Sequence, residues 1–276
     1  MLRSNHLTQS ILIALVLLAG LACGQGTSVD VDFEDLAAEW GNPTSGLPSL
    51  AVNELAPGQE AFAFTTNSGE QVSYWLSIPE GFDASQLWPL IVYLHGSNGV
   101  GSDIERIRNM TPPVVHGGET DLPFIVVSPQ NPEGIWPEYI DEMDQLVQYL
   151  LAELPVDPER VILSGLSDGG YGTWNYALRY PERFDAIVPI SYGPVLRPDD
   201  PMPDLCALNG VAIWIFHSEN DAVIPIEPNY AAVEALEACG NEQVRFTVYP
   251  RAGHGGAWLK AYRDERLYRW MLNLPE

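Results

Sequence analysis

An open, mostly parallel α/β sheet with helices on both faces is the fold class this sequence predicts, and three observations predict it. From Gln59 onward, apolar runs of strand length alternate with amphipathic stretches of helix length, the pattern of right-handed βαβ units. Several of these runs, such as Trp88-Pro-Leu-Ile-Val-Tyr-Leu94, are apolar throughout, as strands covered on both faces are. The third observation is Gly165-Leu-Ser-Asp-Gly-Gly170, which sets one serine among glycines where such a run hands over to a helical stretch.

The elements follow in order. "EAFAFTT" and "EQVSYWLSIP" read as an opening antiparallel pair joined at Asn67-Ser-Gly69. "WPLIVYLHG" and "LPFIVVSPQ" are buried parallel strands. Glu138 to Leu154 is a helix, because Ile140, Met143, Leu146, Val147, Leu150 and Leu151 recur near the helical period. "ERVILSG" runs into the serine, and Tyr171 to Leu178 continues as a helix. "FDAIVPIS" and "VAIWIFHS" are two more strands, Ile226 to Ala238 a helix, "QVRFTVYP" the last strand and Trp258 to Leu272 one closing helix. Pro194 to Leu205 has loop composition and reads equally as part of a lid or as a plain connector. Functional loops in such a sheet lie at the carboxyl ends of the strands.

The 276 residues divide into a signal peptide at 1–24, a flexible linker at 25–58 and a catalytic domain at 59–276. Arg3 precedes the apolar run Ile11 to Ala22, which is too short for a comfortable membrane span and fits the core of a signal peptide. The expectation is therefore export, to the periplasm or medium or to a bacterial envelope as a lipoprotein. Cleavage after Gly24 is one route. The other is lipidation of Cys23, since "AGLAC" resembles a lipobox, with Gly20 where an aliphatic residue is usual. Cys206 and Cys239 then remain, either as a disulfide or as two buried thiols. Thirteen basic against 37 acidic residues give a charge of −24, and Lys260 is the only lysine. Such a surface excludes nucleic acid and anionic membranes as partners. Nothing in the sequence fixes an oligomeric state.

The glycine-flanked Ser167 matches the strained strand-to-helix turn that lifts a serine hydroxyl above a sheet. A hydroxyl needs a base to take its proton. Of the five histidines, His254 lies in the glycine-rich stretch between the last strand and the last helix, as a late base should. His217 ends a strand with no acid between itself and a later base; His95 shapes a loop, His116 lies in a Pro/Gly-rich loop and His6 in the signal peptide. The acid expected to hold the imidazole is Asp221, after the penultimate strand, with Asp199, Asp200 and Asp204 as runners-up. Oxyanion donors are expected from the backbone N–H groups of Asp168 and Ser97, the latter in "LHGSNGVGSD", where Gly96 and Gly99 let the chain approach a substrate. Trp136, Tyr139 and Trp258 either wall a substrate pocket or cap the loops; Tyr171 and Trp174 read as core.

Taken together, "LHGSNGVGSD", "SPQNPEGIW", "VDPERVILSGLSDGGYGTWNYALRYPERFDAIVPIS", "VAIWIFHSENDAVIP" and "FTVYPRAGHGGAW" resemble, in order, the blocks of the exported α/β-hydrolases grouped as predicted peptidases. That family is similar to phospholipase/carboxylesterase-type and feruloyl-type esterases. The resemblance spans about Trp88 to Trp270. It implies an α/β-hydrolase fold, Ser167 as nucleophile, Asp221 as acid and His254 as base. It also implies ester hydrolysis through an acyl-enzyme on small or aromatic, feruloyl-like esters, with no metal or organic cofactor. A serine peptidase of the same fold, or a surface lipoprotein that binds ligand without turnover, are the alternatives. Two positions depart from the family: Asp168 replaces a methionine after the nucleophile, and Ser218 replaces a glycine after the strand-end histidine.

Overall fold

A computed structural model describes residues 47–51, 54–112 and 123–274. The chain divides into two units, Met1–Gly41 and Asn42–Glu276, and all described residues belong to the second. The expected signal peptide at 1–24, Cys23, and residues 25–46 of the expected linker lie outside the described residues, as does His116.

Eight strands form one sheet in the order β1-β2-β4-β3-β5-β6-β7-β8. They are β1 Gly58–Thr65, β2 Gln71–Ile78, β3 Trp88–Leu94, β4 Ile125–Pro129, β5 Val156–Leu166, β6 Ala186–Ile190, β7 Ala212–Ser218 and β8 Val244–Tyr249. β1 and β2 pair antiparallel, with Thr65 opposite Gln71 across the turn that holds Gly69 at φ 88°. β2 is antiparallel to β4, and β3 to β8 are parallel throughout. The mostly parallel α/β-hydrolase sheet with its antiparallel opening pair is the architecture the sequence predicts.

Among the described residues, five α-helices cover the sheet: α1 Ile140–Glu153, α2 Asp168–Arg179, α3 Glu227–Ala238, α4 Gly253–Ala261 and α5 Glu265–Leu272. Successive strand side chains point to opposite faces, so the apolar strands feed two cores. Leu90, Val92 and Leu94 of β3 join Met143 and Leu150 of α1, Trp174 of α2 and Leu236 of α3. Ile91 and Tyr93 join Ala257 of α4 and Leu267 and Met271 of α5. Asp144, on the buried face of α1, is nearly inaccessible and is paired, receiving Arg183 Nε at 2.8 Å and Tyr176 OH at 3.1 Å.

Three details differ from the sequence-based expectation. The closing helix is two helices, because the Asp264 side chain accepts from Arg266 N–H and caps a new start. The chain at 47–51 and 54–58 is laid against the domain rather than running free of it: Pro48 C=O accepts Ala63 N–H, and Leu50 and Leu55 pack on the core. The helix expected from Glu138 starts as a single 3-10 turn, Trp136–Glu138, before α1. Of the two states left open for the cysteines, the structure holds the disulfide, Cys206–Cys239, tying the turn Leu205–Leu208 to the end of α3 across 33 residues.

Candidate active site

β5 ends at Leu166 and α2 starts at Asp168, leaving Ser167 alone at the turn with φ 58° and ψ −122°. A non-glycine residue in that region is strained and persists only where its surroundings over-determine it. Here Ser167 N–H donates to Ile190 C=O at 2.9 Å, and Ser167 C=O accepts Tyr171 N–H at 3.0 Å. The flanking glycines have a steric reason. A Cβ on Gly165 would strike the Gly169 carbonyl, and a Cβ on Gly169 would strike the Leu94 carbonyl. Only bare backbone lets α2 start this close to β3 and β5.

The structure brings Ser167, His254 and Asp221 together. His254 Nε2 lies 2.8 Å from Ser167 Oγ, and His254 Nδ1 lies 2.7 Å from Asp221 Oδ2. The Asp221 side chain is 1% exposed and that of His254 21%. Burial pushes the Asp221 carboxyl up, but the Ile224 N–H, the His254 imidazole and the Val223 N–H together hold it below the ordinary range. With Asp221 ionised, Nδ1 of His254 carries the proton and Nε2 is free to accept the serine's. His254 occupies the first turn of α4, not the loop expected for it, and Gly253 supplies the positive φ, 67°, that admits the helix there.

Three further residues hold this arrangement. His217 is fully buried, with Nε2 3.2 Å from Asp221 Oδ2 and Nδ1 2.7 Å from Asn229 Nδ2. Burial lowers its pKa, so it stays neutral and donates through Nε2 while accepting from Asn229. Ser218 Oγ accepts from both Ala252 N–H and Gly253 N–H, and Ser191 Oγ donates to His254 C=O at 2.9 Å. None of these was assigned a site role from sequence. The spacing of four between His217 and Asp221 was the available signal for the first; the serines carried none.

The loop after β3 lies against Ser167: a Cβ on Gly96 would sit 3.3 Å from Leu166 O and 3.4 Å from Ser167 Cβ. Ser97 opens the 3-10 turn Ser97–Gly99, and Asp168 opens α2. N–H groups at such starts have no partner within their own turn. His95 fixes the loop, its Nδ1 2.7 Å from Gly96 O while Nε2 receives Asn131 N–H at 3.0 Å. Burial pushes the His95 imidazole down to about 4, so it is neutral.

Asp168 is 9% exposed, and its Oδ2 has no hydrogen-bond partner among the described residues. Burial pushes its carboxyl up to about 6; the Trp136 N–H opposes this, and the Glu138 charge adds to it. Trp136 does not wall a pocket. It is wholly buried, donates Nε1–H to His95 C=O at 2.8 Å and lies 4.9 Å from the His95 ring with the two planes tilted by 58°. An indole N–H needs an acceptor when buried, and the end of β3 provides one. Trp258 is half-buried against Tyr93 and Tyr262. Tyr139 is half-buried against the core below α1. Trp174 is core, its Nε1–H reaching Tyr192 C=O at 3.3 Å, whereas Tyr171 is half-exposed, 5.2 Å from the Tyr192 ring. Of the runner-up acids, Asp200 and Asp204 accept backbone N–H groups of their own loop, from Arg197 and Cys206. Lys260 Nζ, near the site, donates to Arg251 C=O and lies 5.3 Å over the Tyr249 ring.

The mostly parallel sheet, with a serine, a histidine and a carboxylate brought together at its carboxyl edge, has the α/β-hydrolase fold. Residues 125–257 match the family model for phospholipase/carboxylesterase. Among curated proteins, the chain is 28% identical to "Probable feruloyl esterase C" of Aspergillus terreus, over 56% of each chain. It is 25% identical to "Acyl-protein thioesterase 1" of Gibberella zeae, over 50% of this chain and 57% of that one. The chain thus spans little more than half the length of these relatives. Among solved structures, a thermostable esterase superposes with a TM-score of 0.69 at 26% identity, covering 78% of this chain and 62% of that one. The feruloyl esterase module from Clostridium thermocellum superposes with a TM-score of 0.61 at 16% identity, covering 83% and 95%, a likeness of fold alone.

Proposed function

We propose that this protein is an exported serine hydrolase that cleaves carboxylic esters, small or aromatic ones of the feruloyl type, through an acyl-enzyme. The observation that carries the reading is the continuous chain Ser167 Oγ, His254 Nε2, His254 Nδ1, Asp221 Oδ2, with steps of 2.8 and 2.7 Å. His254 Nε2 takes the hydroxyl proton as Oγ attacks the ester carbonyl carbon, and Asp221 stabilises the imidazolium. The carbonyl oxygen becomes an oxyanion received by the N–H groups of Asp168 and Ser97. The imidazolium returns its proton to the departing alkoxide, leaving the acyl group on Ser167. Water, deprotonated by the same imidazole, then releases the acid. The similarity to a feruloyl esterase and to an esterase structure supports the ester as substrate. Export is supported by the apolar run Ile11 to Ala22 and by the Cys206–Cys239 disulfide, a bond that persists in oxidising compartments.

The test is to incubate the purified protein with a fluorophosphonate probe, p-nitrophenyl acetate, methyl ferulate and a matching anilide, alongside Ser167→Ala. Labelling and ester turnover lost only in Ser167→Ala are expected. A wild-type protein that neither labels nor turns over would be a binding protein, and a preference for the anilide would make it a peptidase. Palmitate labelling lost in Cys23→Ala distinguishes a lipid-anchored from a simply cleaved chain.

A further inference from the structure

The backbone on either side of His254 is held by side chains that belong to neither the triad nor the oxyanion loop. Ser218 Oγ accepts Ala252 N–H at 2.9 Å and Gly253 N–H at 3.1 Å. Asn220 Oδ1 faces the same two groups, at 3.1 and 2.9 Å. The two oxygens are themselves joined, Ser218 Oγ lying 2.8 Å from Asn220 Oδ1, and Ser218 is fully buried. On the other side, Ser191 Oγ donates to His254 C=O at 2.9 Å from a residue held at φ 56°. Ser191 is fixed in turn, its N–H donating to Phe216 C=O.

We propose that Ser191, Ser218 and Asn220 form a brace that sets the position of the general base, with the Ser218–Asn220 pair as a redundant double acceptor. The proposal rests on the reading of His254 as that base. Gly253 carries φ 67°, and a Cβ there would meet nothing within 4 Å, so no packing on that side holds the chain just before the histidine. Hydrogen bonds must do so. Each of the two N–H groups reaches both oxygens, so losing one acceptor still leaves each group a partner, while losing both leaves two unpaired donors at the start of α4. Ser218 is the last residue of β7, so the brace is built at the end of the strand that leads into Asp221. The three residues touch no reacting atom; they are positioning residues.

The experiment is a double-mutant cycle on the purified protein with p-nitrophenyl acetate as substrate. Ser218→Ala and Asn220→Ala are each expected to lower kcat by about two- to fivefold, and the pair together by about 50-fold or more, since a misplacement near 1 Å costs about a hundredfold. KM is expected to stay within about twofold, because the brace touches no part of the substrate. The downfield proton NMR signal of the His254–Asp221 hydrogen bond is expected in each single variant and lost in the double. A double variant with wild-type kcat, or one whose loss equals the product of the single losses, overturns the proposal. So does a fall in kcat with the downfield signal intact. If the double variant does not fold, Ser191→Ala decides: a lower kcat at unchanged KM supports the brace, and a wild-type kcat overturns it. Ser167→Ala runs in parallel. Turnover surviving in that variant refutes the hydrolase reading itself, whatever the brace variants do.

Discussion

Asp168 lies one residue after Ser167, and burial pushes its carboxyl from an ordinary 3.8 to about 6. The native state therefore keeps a proton that the unfolded chain gives up, and stability falls as pH rises from about 4 to about 6. Above that window the charge is buried beside Glu138, with the Tyr171 and Tyr192 phenols also near it. Denaturant titration of Asp168→Asn is expected to show a gain of roughly 1–3 kcal/mol over wild type at pH 8 and none at pH 3. The same ionised carboxylate opposes a developing oxyanion. Asp168→Met is expected to exceed wild type in kcat/KM at pH 8, with the ratio shrinking toward one below pH ~6. Asp221→Asn, which leaves the imidazole in the wrong tautomer, is expected to lose about 10⁴-fold in kcat by steady-state assay. At this scale the meeting of Ser167, His254 and Asp221 was legible in the sequence, because few residue types can form such a chain of hydrogen bonds and their order along the chain is constrained. It did not carry Trp136, since an aromatic in a loop reads the same whether it seals a core or lines a cleft. Nor did it show Ser218 as a hydrogen-bonding centre, because its partners are the N–H groups of residues 34 and 35 positions along.

Between β5 and α2 the decisive quantity is backbone clearance. Gly169 faces the Leu94 carbonyl and Gly165 the Gly169 carbonyl, neither of which can swing aside as a side chain can. Gly169→Ala is expected to destabilise by about 1–3 kcal/mol or more, with the fluorophosphonate reaction slowed in whatever protein folds, read by thermal melting and labelling rate. Strands and helices were legible because two-sided burial leaves apolar runs and one-sided burial leaves a helical period. The closing segment was not, because apolar residues continue through its break: Tyr262 and Leu267 are both buried, and only the Asp264 cap marks the second start. Helix α4 also begins earlier than its apolar pattern, at Gly253, where three glycines hid its first turn.

For the whole molecule, the disulfide joins Cys206 to Cys239 and so closes a loop that contains β7, the Asp221 turn and α3. Closing 33 residues removes enough freedom from the unfolded chain that Cys239→Ser is expected to lose about 3–4 kcal/mol in denaturant titration. Spacing alone left the bond undecided, since two cysteines this far apart are adjacent only if α3 folds back toward the turn at Leu205–Leu208. The acidic surface has another side. Lys260 is the chain's only lysine, and its ammonium group rests on the Arg251 carbonyl, three residues before His254. A succinimidyl dye therefore finds one side-chain amine on the entire polypeptide, seated on the segment that delivers the imidazole. Its emission, once dye on the α-amine has been subtracted with Lys260→Arg, offers a native optical gauge of that segment's movement during turnover, with no cysteine engineering.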